Sequence, residues 1–193
     1  MSNPESLAPV GDEHWPDALR HVFNDMRGNP INVHRLMAHH PELLGAWWDY
    51  RNHFVAGGSL GQRRAEIVIL TVANALDNAY EWDSHVDRGL AAGLSPEEIR
   101  AIRDGAPAFD GADAVLVAMV DALLRDRRVP AELLARAQQH FDTRAIMDVI
   151  FLQGAYLTLG CLLDTFPVPL DASVAARLKG QGEHVAAITR GAG

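Results

Sequence analysis

The chain carries one cysteine, Cys161, in 193 residues. That excludes an intramolecular disulfide, a CxxC redox pair within one chain, and any zinc or iron–sulfur site built from several cysteines. Basic residues are also short: 17 Lys and Arg face 25 Asp and Glu, a formal charge of −8. A nucleic-acid footprint needs the opposite sign, so no nucleic-acid partner is expected. Long apolar runs are missing as well. The most apolar stretch, Val149 to Leu163, is interrupted by Gln153 and falls short of the ~18 apolar residues of a membrane span. It reads as a core helix, and no membrane partner is expected. The N-terminal MSNPESLAPVGDEHWPD has no basic segment leading into an apolar one, so no secretory signal is read and a cytoplasmic location is the expectation. No Gly-rich phosphate loop, dinucleotide fingerprint or G-x-S-x-G elbow is read, which removes support for a nucleotide cofactor and for a hydrolase.

What the sequence does have is helical periodicity from end to end, without strict alternation between hairpin turns, so the fold class is all-α. The pattern predicts one amphipathic helix over 15–26, a short helix over 32–39, and a third that starts at Pro41 and stops at Gly57-Gly58. Residues 62–76 are apolar nearly all round and are predicted to form the central helix of the domain. Asn78-Ala79-Tyr80-Glu81 has the N-cap and N3 residue types of a new helix running to about Ala92. Ser95-Pro96-Glu97-Glu98 is a capping box with proline at N1, opening a helix that ends at Gly105. Helices over 114–127, 130–141 and 143–164 follow, the last capped by Asp142. The expected organisation is an N-terminal helical extension over 1–29, the main domain over 30–170, and a weakly held arm or tail over 171–193, rich in small residues.

Most of the nine histidines lie where a surface histidine is unremarkable, but His85 follows Glu81 by four residues on one predicted helix. That spacing sets the two side chains on one face, about 5–6 Å apart between β-carbons. Glu66, on the buried helix before it, reaches the same place if the two helices pack as a pair. Flanked by Ile69 and Leu70, it is partly desolvated, which suits a carboxyl that gives and takes a proton beside a histidine. Each residue also has a structural reading. Glu66 pairs with Arg63 or with an arginine from another helix, Glu81 reaches back to the Asn78 amide as N3 of a capping box, and His85 is a core-edge histidine satisfied by Glu81. A Glu-x-x-x-His pair is also compatible with metal, yet no HExxH or second histidine accompanies it, and no metal is expected. Trp47, Trp48, Tyr50, Phe54, Tyr80 and Trp82 either line an apolar pocket beside this cluster or are plain core. Arg63 and Arg64 either clamp a substrate carboxylate or form a solvated helix end. Cys161, on an apolar face of its predicted helix, reads as a small buried hydrophobe.

Arg64-Ala-Glu-Ile-Val-Ile-Leu, Tyr80-Glu-Trp-x-x-His85 and Gly93-Leu-Ser-Pro-Glu-Glu-Ile, in that order, resemble the carboxymuconolactone decarboxylase family, which includes alkylhydroperoxidase D. His39-His40-Pro41-Glu-Leu-Leu is similar to the lead-in of its longer members, and the resemblance spans roughly 30–170. The family's peroxidase branch has a glutamate, a cysteine twelve residues on, a second three further and a histidine four beyond that; here these positions hold Glu66, Asn78, Glu81 and His85. The resemblance therefore implies an alkylhydroperoxidase D-like fold with its pocket, in a branch that lacks the redox cysteines. A glutamate four residues before the histidine is similar to the lactone decarboxylase branch, which implies cofactor-free chemistry on small carboxylated lactones. It also implies a homo-oligomer: a dimer, trimer or hexamer.

The leading expectation is thus a cofactor-independent acid–base enzyme, a decarboxylase, isomerase or related lyase, acting on a small carboxylated or enolisable molecule. In it His85 moves the proton, Glu81 or Glu66 orients it, and Asn78, Arg63, Trp82 and Tyr80 contact the substrate. One alternative keeps the peroxidase activity of the redox branch. Another is a non-catalytic ligand-binding or assembly protein on the same scaffold, which a pocket too small or too dry beside His85 would favour.

Overall fold

The computed structural model describes residues 7–55 and 57–191. All regular structure among them is helical: α1 (Arg20–Asp25), α2 (Asn32–Met37), α3 (Pro41–Val55), α4 (Gln62–Ala75), α5 (Ala79–Ala91), α6 (Pro96–Asp104), α7 (Gly111–Asp126), α8 (Ala131–Ala137), α9 (Thr143–Thr165), α10 (Ala172–Gly180) and α11 (Glu183–Ala186), with 3-10 turns at Asp12–His14 and Asp17–Leu19. The expected all-α class is the one observed.

α4 is the centre, as its all-round apolar sequence requires. Ile67, Val68, Leu70 and Val72 are fully buried, and the helix packs against α5, α6, α7 and α9. Each such side chain contributes about 1.5–3 kcal/mol by leaving water. The link to α5 is short. Asp77 takes a left-handed backbone (φ 54°), the Asn78 amide donates to Ala73 O, and the Asn78 side chain accepts from Glu81 N at 2.9 Å. α5 accordingly folds back along α4, so that residues early in α4 face residues halfway along α5. The Ser95–Glu98 capping box and the Asp142 cap on Ala145 N form as predicted.

A second apolar cluster joins the N-terminal segment to α2 and α3, through Trp15, Leu19, Val22, Leu36, Leu44 and Trp48, and reaches α9 at Leu159 and Leu163. Tyr156 of α9 packs against both clusters and marks where they meet. α9 is long and apolar enough to cross a membrane, but half of its most apolar window is buried, and it packs on α4 and α7 as a core helix.

Three expectations are corrected. Residues 15–26 do not form one helix: Pro16, which removes an amide and turns Trp15 extended (ψ 126°), leaves two 3-10 turns before the short α1. The C-terminal segment is not a loose arm. Val174, Leu178, Val185 and Ile188 are buried in the main core, Trp82 Nε1 donates to Ile188 O at 2.7 Å, and Arg177 pairs with Asp87 at 2.8 Å; residues 192–193 of that expectation, like 1–6 of the N-terminal one, lie outside the described residues. Cys161 is exposed, on the outer side of α9 with Met147, Ile150 and Phe151. An apolar helix does not itself say which of its faces meets the core.

Candidate active site

Folding α5 back on α4 brings Glu66 to His85. Glu66 Oε2 lies 2.6 Å from His85 Nδ1, and Glu81 Oε2 lies 3.4 Å from His85 Nε2. A carboxylate accepts and does not donate, so Nδ1 carries the proton in the Glu66 contact, and Nε2 faces Glu81. The imidazole is sealed in: its side chain is 3% exposed, against 13% for Glu66 and 5% for Glu81. Burial by itself opposes charge on this ring, but the Glu66 carboxylate, aided by Glu81, outweighs it and raises the His85 pKa above its ordinary 6.5. Tyr156 stands edge-on to the imidazole, ring centroids 4.9 Å apart and planes at 90°.

Two spaces adjoin this triad. The larger, of about 290 Å³, is lined by Trp47, Tyr50, Phe54, Leu152 and Tyr156, with Glu66, Arg51 and Arg88 among its polar members. The smaller, of about 30 Å³, is lined by His34, Tyr80, Glu81, Ser84 and His85, and shares Trp47, Arg51, Arg88 and Tyr156 with the larger. That volume admits about two water-sized groups. Into it face side chains whose His34 Nδ1, Glu81 Oε1 and Ser84 Oγ are buried and have no hydrogen-bond partner among the described residues. Burial first, then the positive charges of Arg51 and Arg88, hold His34 well below the usual histidine pKa, so it is neutral at pH 7. Of the triad, Glu66 alone lines the larger space; His85 and Glu81 stand behind it.

The structural readings of Glu66 and Glu81 give way to contacts with His85, whereas the reading of His85 as held by Glu81 agrees with the 3.4 Å contact within α5. Glu66 does not pair with Arg63, and Glu81 turns its carboxylate to His85 rather than back to the Asn78 amide. The expected substrate contacts divide. Tyr80 lines the smaller chamber, with its hydroxyl donating to Asp171 Oδ2 at 2.7 Å. Asn78 is spent on the α5 cap and on Asp164 Oδ1, 2.7 Å away. Arg63 is held by Glu98 and Asp113, outside both spaces, and Trp82 is fully buried in the core with its indole bonded to Ile188 O. The structure does not bring Asn78, Arg63 or Trp82 to the cavity.

Four residues that the sequence reading passed over complete the lining: His34 of α2, Arg51 of α3, Arg88 of α5 and Tyr156 of α9. The one available signal was Arg88, four and seven residues from Ser84 and Glu81 on one face of α5. Also passed over was Gly57-Gly58-Ser59-Leu60-Gly61, which has the letters of a G-x-S-x-G nucleophile elbow. It is a turn between α3 and α4, with no strand before it. Asp148 lies between the would-be partners, accepting from Ser59 N at 2.6 Å and contacting His53 Nε2 at 2.8 Å, an arrangement that ties α9 to the turn.

With fold and site described, the class is that of an all-α, alkylhydroperoxidase D-like domain. Residues 41–123 match the model of the carboxymuconolactone decarboxylase family. No curated protein matches. Among solved structures, the chain is similar to an alkylhydroperoxidase AhpD core, a peroxidase-related protein from Ralstonia eutropha JMP134, at 15% identity and a TM-score of 0.77, over 90% of this chain and 96% of the other. A peroxidase-related protein from Silicibacter sp. TM1040 has 14% identity and a TM-score of 0.74, over 90% and 97%. The debrominase Bmp8, in complex with 2,3,4-tribromopyrrole, has 14% identity and a TM-score of 0.75, over 94% and 99%. At these identities the shared property is the fold, one on which a small-molecule enzyme is built.

Proposed function

We propose that this protein is a cofactor-independent, cytoplasmic acid–base enzyme, a decarboxylase, isomerase or related lyase, acting on a small carboxylated lactone or other enolisable molecule. The observation that carries the reading is the buried relay Glu66–His85–Glu81 opening, through Glu66, onto a cavity of about 290 Å³. In this reading the roles differ from the sequence expectation. Glu66 is the group that meets the ligand. His85 hands a proton to Glu66 across 2.6 Å or takes one from it, and Glu81 holds the far side of the ring. In a decarboxylation, the bond to the carboxyl carbon breaks, CO2 leaves, and the bonding electron pair becomes an enolate. His85 passes its Nδ1 proton to the Glu66 carboxylate, and Glu66 delivers it to the carbon; a proton from solvent then restores His85.

The aromatic walls suit a flat or cyclic ligand, and the debrominase neighbour with a bound tribromopyrrole supports a small ring for this fold. A thiol peroxidase finds no support in the site. Asn78 and Glu81 hold the cysteine positions of the redox motif, and Cys161 lies outside the lining of both spaces.

The test is a panel of carboxylated lactones and enolisable acids assayed with wild type, Glu66→Gln, His85→Ala and Glu81→Gln. Turnover by the wild type and its loss in the first two variants is the expected result. Turnover that survives all three substitutions overturns the assignment.

A further inference from the structure

Arg51 and Arg88 share the walls of both spaces, and neither has a carboxylate within ion-pair reach among the described residues. Arg51 donates to Asn52 Oδ1 at 2.9 Å, approaches Met26 Sδ at 3.9 Å, and lies 4.5 Å above the Trp48 ring. Arg88 is half-buried and makes no side-chain hydrogen bond among the described residues; Glu66 and Glu81, the carboxylates whose field it feels, are both turned to His85. Arg35, Arg63, Arg64 and Arg190 each hold a carboxylate. At the cavity two arginines from different helices face one space with no carboxylate partner among the described residues, each depressing the ionisation of His34.

Around the cavity the guanidinium groups of Arg51 and Arg88 have no carboxylate turned to them, because Glu66 and Glu81 are both directed at His85. Desolvated cations in this number are costly unless an anion joins them. A guanidinium pair also matches a planar two-oxygen anion by geometry.

We infer that Arg51 and Arg88 form the anion-binding pair of this cavity and select a small monocarboxylate, with its carboxylate at the junction of the two spaces and its apolar body against Trp47, Phe54 and Tyr156. The inference deepens the acid–base reading of the same cavity. It moves substrate-carboxylate recognition from Arg63 to this pair, and it makes them binding residues rather than proton carriers.

The experiment titrates the full-length protein with acetate, benzoate and cinnamate, each against its neutral amide, following tryptophan fluorescence and the thermal midpoint. At least one carboxylate is expected to bind tenfold or more tightly than its amide and to raise the midpoint. Arg51→Gln and Arg88→Gln are each expected to lose about tenfold of that affinity, while Cys161→Ser, outside the lining of both spaces, keeps the preference. The comparison of acid with amide on wild type needs no variant and stands even if a substituted chain does not fold. No preference for any acid over its amide, or a preference that both arginine variants retain, overturns the proposal. A clear preference without turnover of any lactone or enolisable acid leaves the anion site standing and removes the acid–base reading. Turnover that depends on His85, with no carboxylate preference, does the reverse.

Discussion

His85 Nδ1 and Glu66 Oε2 lie 2.6 Å apart, although nineteen residues separate them in the chain. The contact turns an i, i+4 pair on one helix into a three-membered relay across two. Glu66→Gln removes the charge that holds the ring protonated, so the His85 pKa is expected to fall, read by NMR titration of the imidazole. His85→Ala is expected to lower kcat by about 10²- to 10⁴-fold, the usual contribution of a positioned acid–base group. An unmoved imidazole titration in Glu66→Gln would show that the contact does not set the proton.

The two buried histidines give opposite pH dependences of stability. The His85 pKa is raised in the fold, so its stabilising contribution is complete below the unfolded value of 6.5 and is lost as pH rises through the folded one. His34 is depressed by burial, Arg51 and Arg88, so the fold resists its protonation, and stability is lost as pH falls below 6.5 toward the lowered value. Denaturant unfolding across pH 5 to about 8 is expected to show a flatter acid limb in His34→Gln and a flatter alkaline limb in His85→Gln.

Gly57 sets the start of α4 and therefore the position of Glu66. Its φ is +86°, and a β-carbon there would stand 2.2 Å from the Gly61 carbonyl carbon. Gly57→Ala is expected to cost about 2 kcal/mol or more, because a left-handed backbone and a backbone clash add together. Chemical denaturation checks this; a loss smaller than that of an exposed alanine substitution would contradict it.

Removing residues 183–193 takes away buried Val185 and Ile188, the acceptor of the Trp82 indole, and Arg190, whose guanidinium lies 4.9 Å above the Trp82 ring. The expected loss is about 3 kcal/mol or more, from emptied core volume and an unpaired buried donor. A truncated chain that melts with the intact one would return the segment to the status of a tail.

Cys161 is exposed, so a thiol reagent is expected to label it in the native protein at the rate of a free surface thiol. Cys161→Ser is expected to change stability by less than about 0.5 kcal/mol, as substitutions at exposed positions do. Labelling that requires denaturant would show that the thiol is covered.

Local patterns in the sequence determined much of this protein. The apolar run of α4, the Asn78 and Asp142 caps, the Ser95–Glu98 capping box and the Glu81–His85 spacing all concern residues within one turn of each other, where side-chain type acts on the nearest backbone. The same patterns put Glu66 within reach of His85 once α4 and α5 were taken as a pair. Only the tertiary structure decided what depends on how distant helices pack. It enclosed Trp82, left Cys161 outside, folded residues 172–188 into the core, and gave Arg63 to Glu98 and Asp113. It also assembled the cavity from His34, Arg51, Arg88 and Tyr156, residues of four helices that no sequence period relates. A helical period tells which residues share a face. Which face meets which neighbour is settled by the burial of apolar surface over the whole chain, and that energy is not local.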